Sequence, residues 1–185
     1  METTDKLTLI NYLENQVENH LQQAVEKYQN LSIEILQKPS IIGGWSIAGC
    51  LEHLNKYGNY YLPLFEKKLS QSIDNQENIF IKSTWLGRKA ISSMNPEIGT
   101  KKFRAFKDYV PTNQFDGKTT VAEFINQQER LLQILNIART KDIQQIRIPI
   151  SVAKFLKLNL NDALQFLIVH NERHIRQANR NLESN

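Results

Sequence analysis

The sequence predicts an all-α fold: an antiparallel four-helix bundle with a long crossover between the second and third helices, carrying a short extra helix. Three observations carry this expectation. Apolar residues recur every three or four positions over four long segments. Sustained two-residue alternation is missing, and seven glycines in 185 residues leave few of the turns an all-β chain needs. The segment at about 70–118 is too long for bare loop between two packed helices.

The first helix is expected over about 4–30, with Ile10, Leu13, Val17, Leu21, Ala24 and Tyr28 on one face. The second starts at Trp45-Ser46 and runs to about Leu69; its stripe is Ile47, Cys50, Leu51, Leu54, Tyr57, Tyr61 and Phe65. Ser46 is the natural N-cap, because its hydroxyl can accept a first-turn amide. A short helix at about Thr84–Met94 fills part of the crossover. The third long helix covers about Thr119–Arg139 behind a hydroxyl cap in Lys118-Thr119-Thr120, with Val121, Phe124, Ile125, Gln128, Leu132 and Leu135 inward. The fourth covers about Leu160–Asn181, with Asn159 and Asp162 spaced as a capping box. IRIPISV at 146–152 could be extended, but Pro149 demotes it as a strand. No repeat or composition break divides the chain, so residues 1–185 are expected to form one domain.

Composition excludes several classes of function. A single cysteine, Cys50, rules out an intramolecular disulfide framework. No basic segment followed by an apolar run marks a signal peptide at the start, and no stretch of about 18 apolar residues spans a membrane. A cytoplasmic protein is expected. The net charge is +4, and residues 79–110 concentrate it: Lys82, Arg88, Lys89, Lys101, Lys102, Arg104 and Lys107 against Glu97 and Asp108. Such a stretch could touch phosphates, but no nucleic-acid motif accompanies it, and a solvated connection is the expected role.

The chemistry sits on histidines. His170 and His174 lie four apart in VHNERHIRQ, so both project from one side of a helix and can reach one divalent ion at about 2.0–2.1 Å. His53, on the core-facing side of the second helix, offers a third imidazole. Three nitrogen ligands would leave coordination positions open, as in catalytic sites. Buried, hydrogen-bonded core histidines would show the same spacing, so both alternatives stand on the residues alone. His20 falls at the apolar edge of the first helix, as a boundary residue, a support or a ligand. Cys50 reads as an inert core thiol, Tyr57, Tyr60 and Tyr61 as packing or pocket aromatics, and Glu52–Lys56 and Glu172–Arg176 as surface pairs.

Taken together, Trp45-Ser46, Leu51-Glu52-His53-Leu54, His170-Asn171-Glu172-Arg173-His174-Ile175-Arg176-Gln177 and Tyr109-Val110-Pro111 resemble the DinB/YfiT-like superfamily. That resemblance implies a four-helix bundle whose ligands to one divalent metal, nickel or zinc, are His53, His170 and His174. It also implies a homodimer and a small-molecule substrate. The implied activity is a thiol-dependent S-transferase or isomerase reaction on a small electrophile, using a low-molecular-weight thiol. The alternative is a non-catalytic metal- or ligand-binding homodimeric bundle module. Where relatives carry an acidic residue three after the serine of Trp45-Ser46, this chain has Gly49.

Overall fold

A computed structural model describes residues 3–41, 43–75, 79–98, 104–112 and 115–184. Lys101, Lys102 and Phe103 of the basic stretch lie outside them. The chain is mostly helical with small strands only. In chain order the elements are β1 (Thr4–Asp5), α1 (Lys6–Gln23), α2 (Ile33–Gln37), α3 (Ile47–Ser70), β2 (Phe80–Ile81), α4 (Trp85–Met94), α5 (Gly117–Ala138), β3 (Arg147–Ile150), β4 (Ala153–Asn159) and α6 (Leu160–Ser184). Helix α3 packs on α5 and α6, and α1 packs on the same two, so the four long helices share one interior.

Each start reflects local chemistry. The Asp5 carboxylate accepts from Thr8 N (2.7 Å) and begins α1, while Thr4 and Asp5 pair with Ile81 and Phe80, so the first helix starts later than its periodicity suggested. A π-helical turn, Ala24–Tyr28, continues it. Ser46 caps α3 as expected, accepting from Gly49 N at 3.0 Å. The helix runs on through Pro63, which is exposed. Thr84 caps α4 within one residue of the expected boundary. The α5 cap is Asp116, which accepts from Thr119 N (2.7 Å), rather than a threonine hydroxyl; Thr120 Oγ1 instead donates to the Asp116 carbonyl.

Two further expectations fail for identifiable reasons. Residues 147–150 are a strand despite Pro149, antiparallel to β4, with Arg147 opposite Asn159 and Pro149 opposite Lys157. In a two-stranded ladder both strands are edges, so a missing amide is tolerated. The Asn159–Asp162 capping box does not form. Here the strands feed α6 directly: Leu160 N donates to Ile146 O (2.9 Å) and Asn161 N to Ile143 O (3.3 Å). Asp162 is fully buried and serves α4 instead, accepting from Thr84 N (3.0 Å) and Thr84 Oγ1 (2.8 Å).

The buried apolar residues form two clusters. One joins Ile10, Leu13, Tyr61, Phe65, Leu135 and Leu164 among others. The other joins Tyr28, Leu51, Leu54, Phe124 and Ile175. His53 and Asn55 on α3, Gln127 and Gln128 on α5, and His170 and Asn171 on α6 are buried polar residues in the same helices.

Candidate metal centre

Buried polar groups in a bundle need partners, and three of the histidines converge on one another. His53 is carried by α3, while His170 and His174 sit one turn apart on α6, which packs against it. Their ligand nitrogens lie within 4.8 Å of one another. His53 Nε2 is 3.1 Å from His170 Nε2. Ring centroids are 5.0 Å apart for His53–His170, 4.6 Å for His53–His174 and 4.8 Å for His170–His174.

The outward nitrogens fix two of the three tautomers. His53 Nδ1 lies 2.7 Å from the Tyr109 carbonyl, which can only accept, so Nδ1 carries the proton and Nε2 presents its lone pair inward. His174 Nδ1 lies 3.0 Å from Gln177 Oε1 and donates to it in the same sense. His170 Nδ1 is buried with no hydrogen-bond partner. The inward lone pair of His53 Nε2 stands 3.1 Å from His170 Nε2, so either a proton on His170 Nε2 or a cation lies between them. Nitrogens on adjacent corners around one ion, each at about 2.0–2.1 Å, stand roughly 3.0–3.4 Å apart. The His53–His170 spacing fits that arrangement.

All three imidazoles are held neutral. Burial pushes His53 down to about 4, although the Tyr109 carbonyl opposes it. Burial and the His53 ring beside it push His174 down to about 3. His170 is held well below the ordinary histidine value by burial and its two neighbouring imidazoles. A neutral imidazole is the form that binds metal.

Aromatic rings wall the cluster. Trp45 lies over His53 (4.6 Å between centroids) and His174 (5.6 Å). Tyr57 stands 4.6 Å from His170 and 4.1 Å from Tyr109. Phe166 stacks 5.9 Å from His170. Trp45 also lines a cavity of about 390 Å³ together with Gln37, Pro39, Pro111 and Phe115. Of the three tyrosines on α3, only Tyr57 borders the histidines closely. Tyr60 donates to Pro149 O and Tyr61 accepts from Ser151 N, both in service of the hairpin.

The remaining candidates fall elsewhere. His20 is fully buried rather than at a boundary, outside the three-histidine group, and 3.0 Å from Glu172 Oε2. Glu172 therefore bridges His20 and Arg176 instead of forming a simple surface pair, and these two partners draw its carboxyl down to about 2. Lys56 donates to Val110 O (2.7 Å), tying the crossover to α3. Cys50 is buried, its thiol pushed up to about 12, and lies outside the group. Sequence reasoning missed Tyr109 and Gln177 as partners of the imidazoles. Gln177 was findable, being three residues after His174 on one helix face; a backbone carbonyl such as that of Tyr109 leaves no trace in residue type.

A helical bundle with three imidazoles converging between facing helices is the architecture of metal-binding bundle proteins. The DinB superfamily model matches residues 16–178, and the chain belongs to that superfamily, which includes metal-binding enzymes. No curated protein and no solved structure matches the chain. Among the described residues, no helix is long and apolar enough to cross a membrane.

Proposed function

We infer that the chain holds one divalent metal ion, nickel or zinc, on His53, His170 and His174, and is a metal-dependent enzyme. The reaction class that fits is transfer or isomerisation of a small electrophilic molecule using a low-molecular-weight thiol. One observation carries the metal reading: three neutral imidazoles converge while the outward nitrogens of His53 and His174 are engaged by Tyr109 and Gln177. Membership of the superfamily supports the same reading. The thiol, the substrate class and a homodimeric state rest on the resemblance of the signature residues.

A divalent ion on three neutral ligands keeps its charge, and would lower the pKa of a coordinated thiol or water enough to make the nucleophile available near neutral pH. The chain's own groups do the rest. Tyr109 O holds His53 with its Nε2 lone pair inward. Trp45, Tyr57 and Phe166 pack around the imidazoles, of which His53 and His170 are buried, and the lower local dielectric strengthens electrostatic interactions there. Exposed Arg104 and Lys107, set against the exposed Asp108, leave the crossover around Tyr109 with a net positive charge, suited to steering an anionic thiol.

The test is elemental analysis of untagged protein beside the His53→Ala and His170→Ala variants. About one nickel or zinc per chain is expected in the parent and almost none in either variant. Thiol consumption with a panel of electrophiles should then depend on the metal. A parent that neither contains nor takes up nickel or zinc overturns the reading. Metal binding without turnover on the panel would replace the enzyme with a non-catalytic binding module.

A further inference from the structure

Resting on the metal reading above, we propose that Gln177 is a positioning residue of the centre, fixing the tautomer and direction of His174, and that Gly44 exists to admit it. Gln177 Oε1 accepts from His174 Nδ1 at 3.0 Å. A neutral imidazole has one N–H, so this bond leaves Nε2 with its lone pair free for an ion. Without an acceptor at Nδ1 the ring could carry its proton on Nε2, toward His53 and His170, and that form cannot ligate. The other two histidines divide differently. His53 has a backbone carbonyl for the same task, and His170 has nothing at Nδ1. Gln177 is therefore the only side chain among the described residues that accepts from an outward nitrogen of the three.

Gly44 joins the argument from the other side of the amide. Its φ is +108°, a conformation L side chains rarely adopt, and a Cβ built there would lie 2.9 Å from Gln177 Nε2. The loop before α3 thus presses a bare backbone against the Gln177 amide, next to Trp45, whose ring stacks on His174. Gln177 is held between its own helix and this loop, with its oxygen toward the imidazole. A side chain at position 44 would push the amide away from that setting.

The experiment measures zinc affinity by competition with a chromophoric chelator, on the parent and on Gln177→Met, Gln177→Glu, Gln177→Ala, Gly44→Ala and the Gly44→Ala/Gln177→Ala double variant. Circular dichroism and thermal unfolding check that each folds. Loss of a hydrogen bond to a metal-bound histidine costs about 10- to 100-fold in affinity. Gln177→Met, of similar size but with no comparable acceptor, should show that loss. Gln177→Glu, which can only accept, should keep parent affinity or exceed it. Gly44→Ala should weaken zinc in the parent background by more than in the Gln177→Ala background, where only the backbone strain at position 44 is left and no amide remains to displace. Parent-like affinity in Gln177→Met overturns the assignment and leaves the three-histidine site standing, as does a Gln177→Glu variant as weak as Gln177→Met. Additive losses in the double variant overturn the role of Gly44. A parent that binds no zinc or nickel overturns the metal reading itself, and the role of Gln177 with it.

Discussion

Lowering the pH of the metal-free protein from 7 toward 5 should destabilise it well before its carboxylates titrate. In the folded chain, burial holds His53 down to about 4 and His174 down to about 3, with His170 also well below its ordinary value. In the unfolded chain all three titrate near ~6.5. These are depressed basic groups, so below that pH the unfolded state binds more protons than the folded state. Stability present above ~6.5 is lost as the pH falls toward the folded values. At pH 5.5 the unfolded imidazoles are mostly protonated while the folded His53 and His174 stay mostly neutral, a slope of about 1 kcal/mol per pH unit for each of these two. His170 adds in the same direction, so the slope is on the order of a few kcal/mol per pH unit, against a total stability of ~5–15 kcal/mol for a domain. The Glu172 carboxyl, drawn down to about 2, loses its contribution only below its unfolded value of roughly 4.3 and does not confuse the upper range. Urea denaturation of chelator-treated protein, followed by circular dichroism from pH 7.5 to 5, measures the slope directly. His174→Gln should reduce it by about a third. A flat profile between pH 7 and 5, or an unchanged slope in that variant, would refute the reasoning.

Three other outcomes follow from packing. Gly58→Ala places a Cβ 1.7 Å from Gln127 Oε1, between α3 and α5, and should cost about 1–3 kcal/mol, seen as a lower Tm in calorimetry. A parent-like Tm would mean that the Gln127 amide, bonded to Asn55 O and Asn59 Oδ1, yields freely. Asp162→Ala removes the acceptor for Thr84 N and Thr84 Oγ1, and should destabilise by about 1–3 kcal/mol in chemical denaturation, with faster amide exchange at the start of α4. Cys50 should resist thiol reagents in the native protein and react at once in denaturant, because it is buried and its thiol is pushed up to about 12. Fast native labelling would show that the second core cluster opens.

What the sequence determines by itself is whatever depends on neighbours three or four residues away. Periodicity located α3, α5 and α6 closely, the length of the crossover called for α4, and Ser46 announced its helix, because a cap bonds within its own first turn. The spacing of His170 and His174 put both on one side of α6 for the same reason, and they meet there. The short helix α2 was too brief to show a period, and the strand at 147–150 was hidden by Pro149, whose tolerance depends on the sheet having only two strands. Contacts far apart in the chain belong to the tertiary structure. Asp162 looked like the cap of its own helix, yet α4 lies against α6 closely enough for it to serve Thr84, 78 residues earlier. His53 was a candidate from its helix face and from family resemblance, but only packing of α3 on α6 brings its Nε2 to 3.1 Å from His170, 117 residues away. The partners that set the tautomers are the least legible: Tyr109 acts through its carbonyl, which every residue has, and Gln177 lies against Gly44, where a Cβ would come within 2.9 Å of its amide nitrogen. Local periodicity writes the helices and the direction of their faces; which faces meet, and which backbone atoms complete a site, is decided by packing between them.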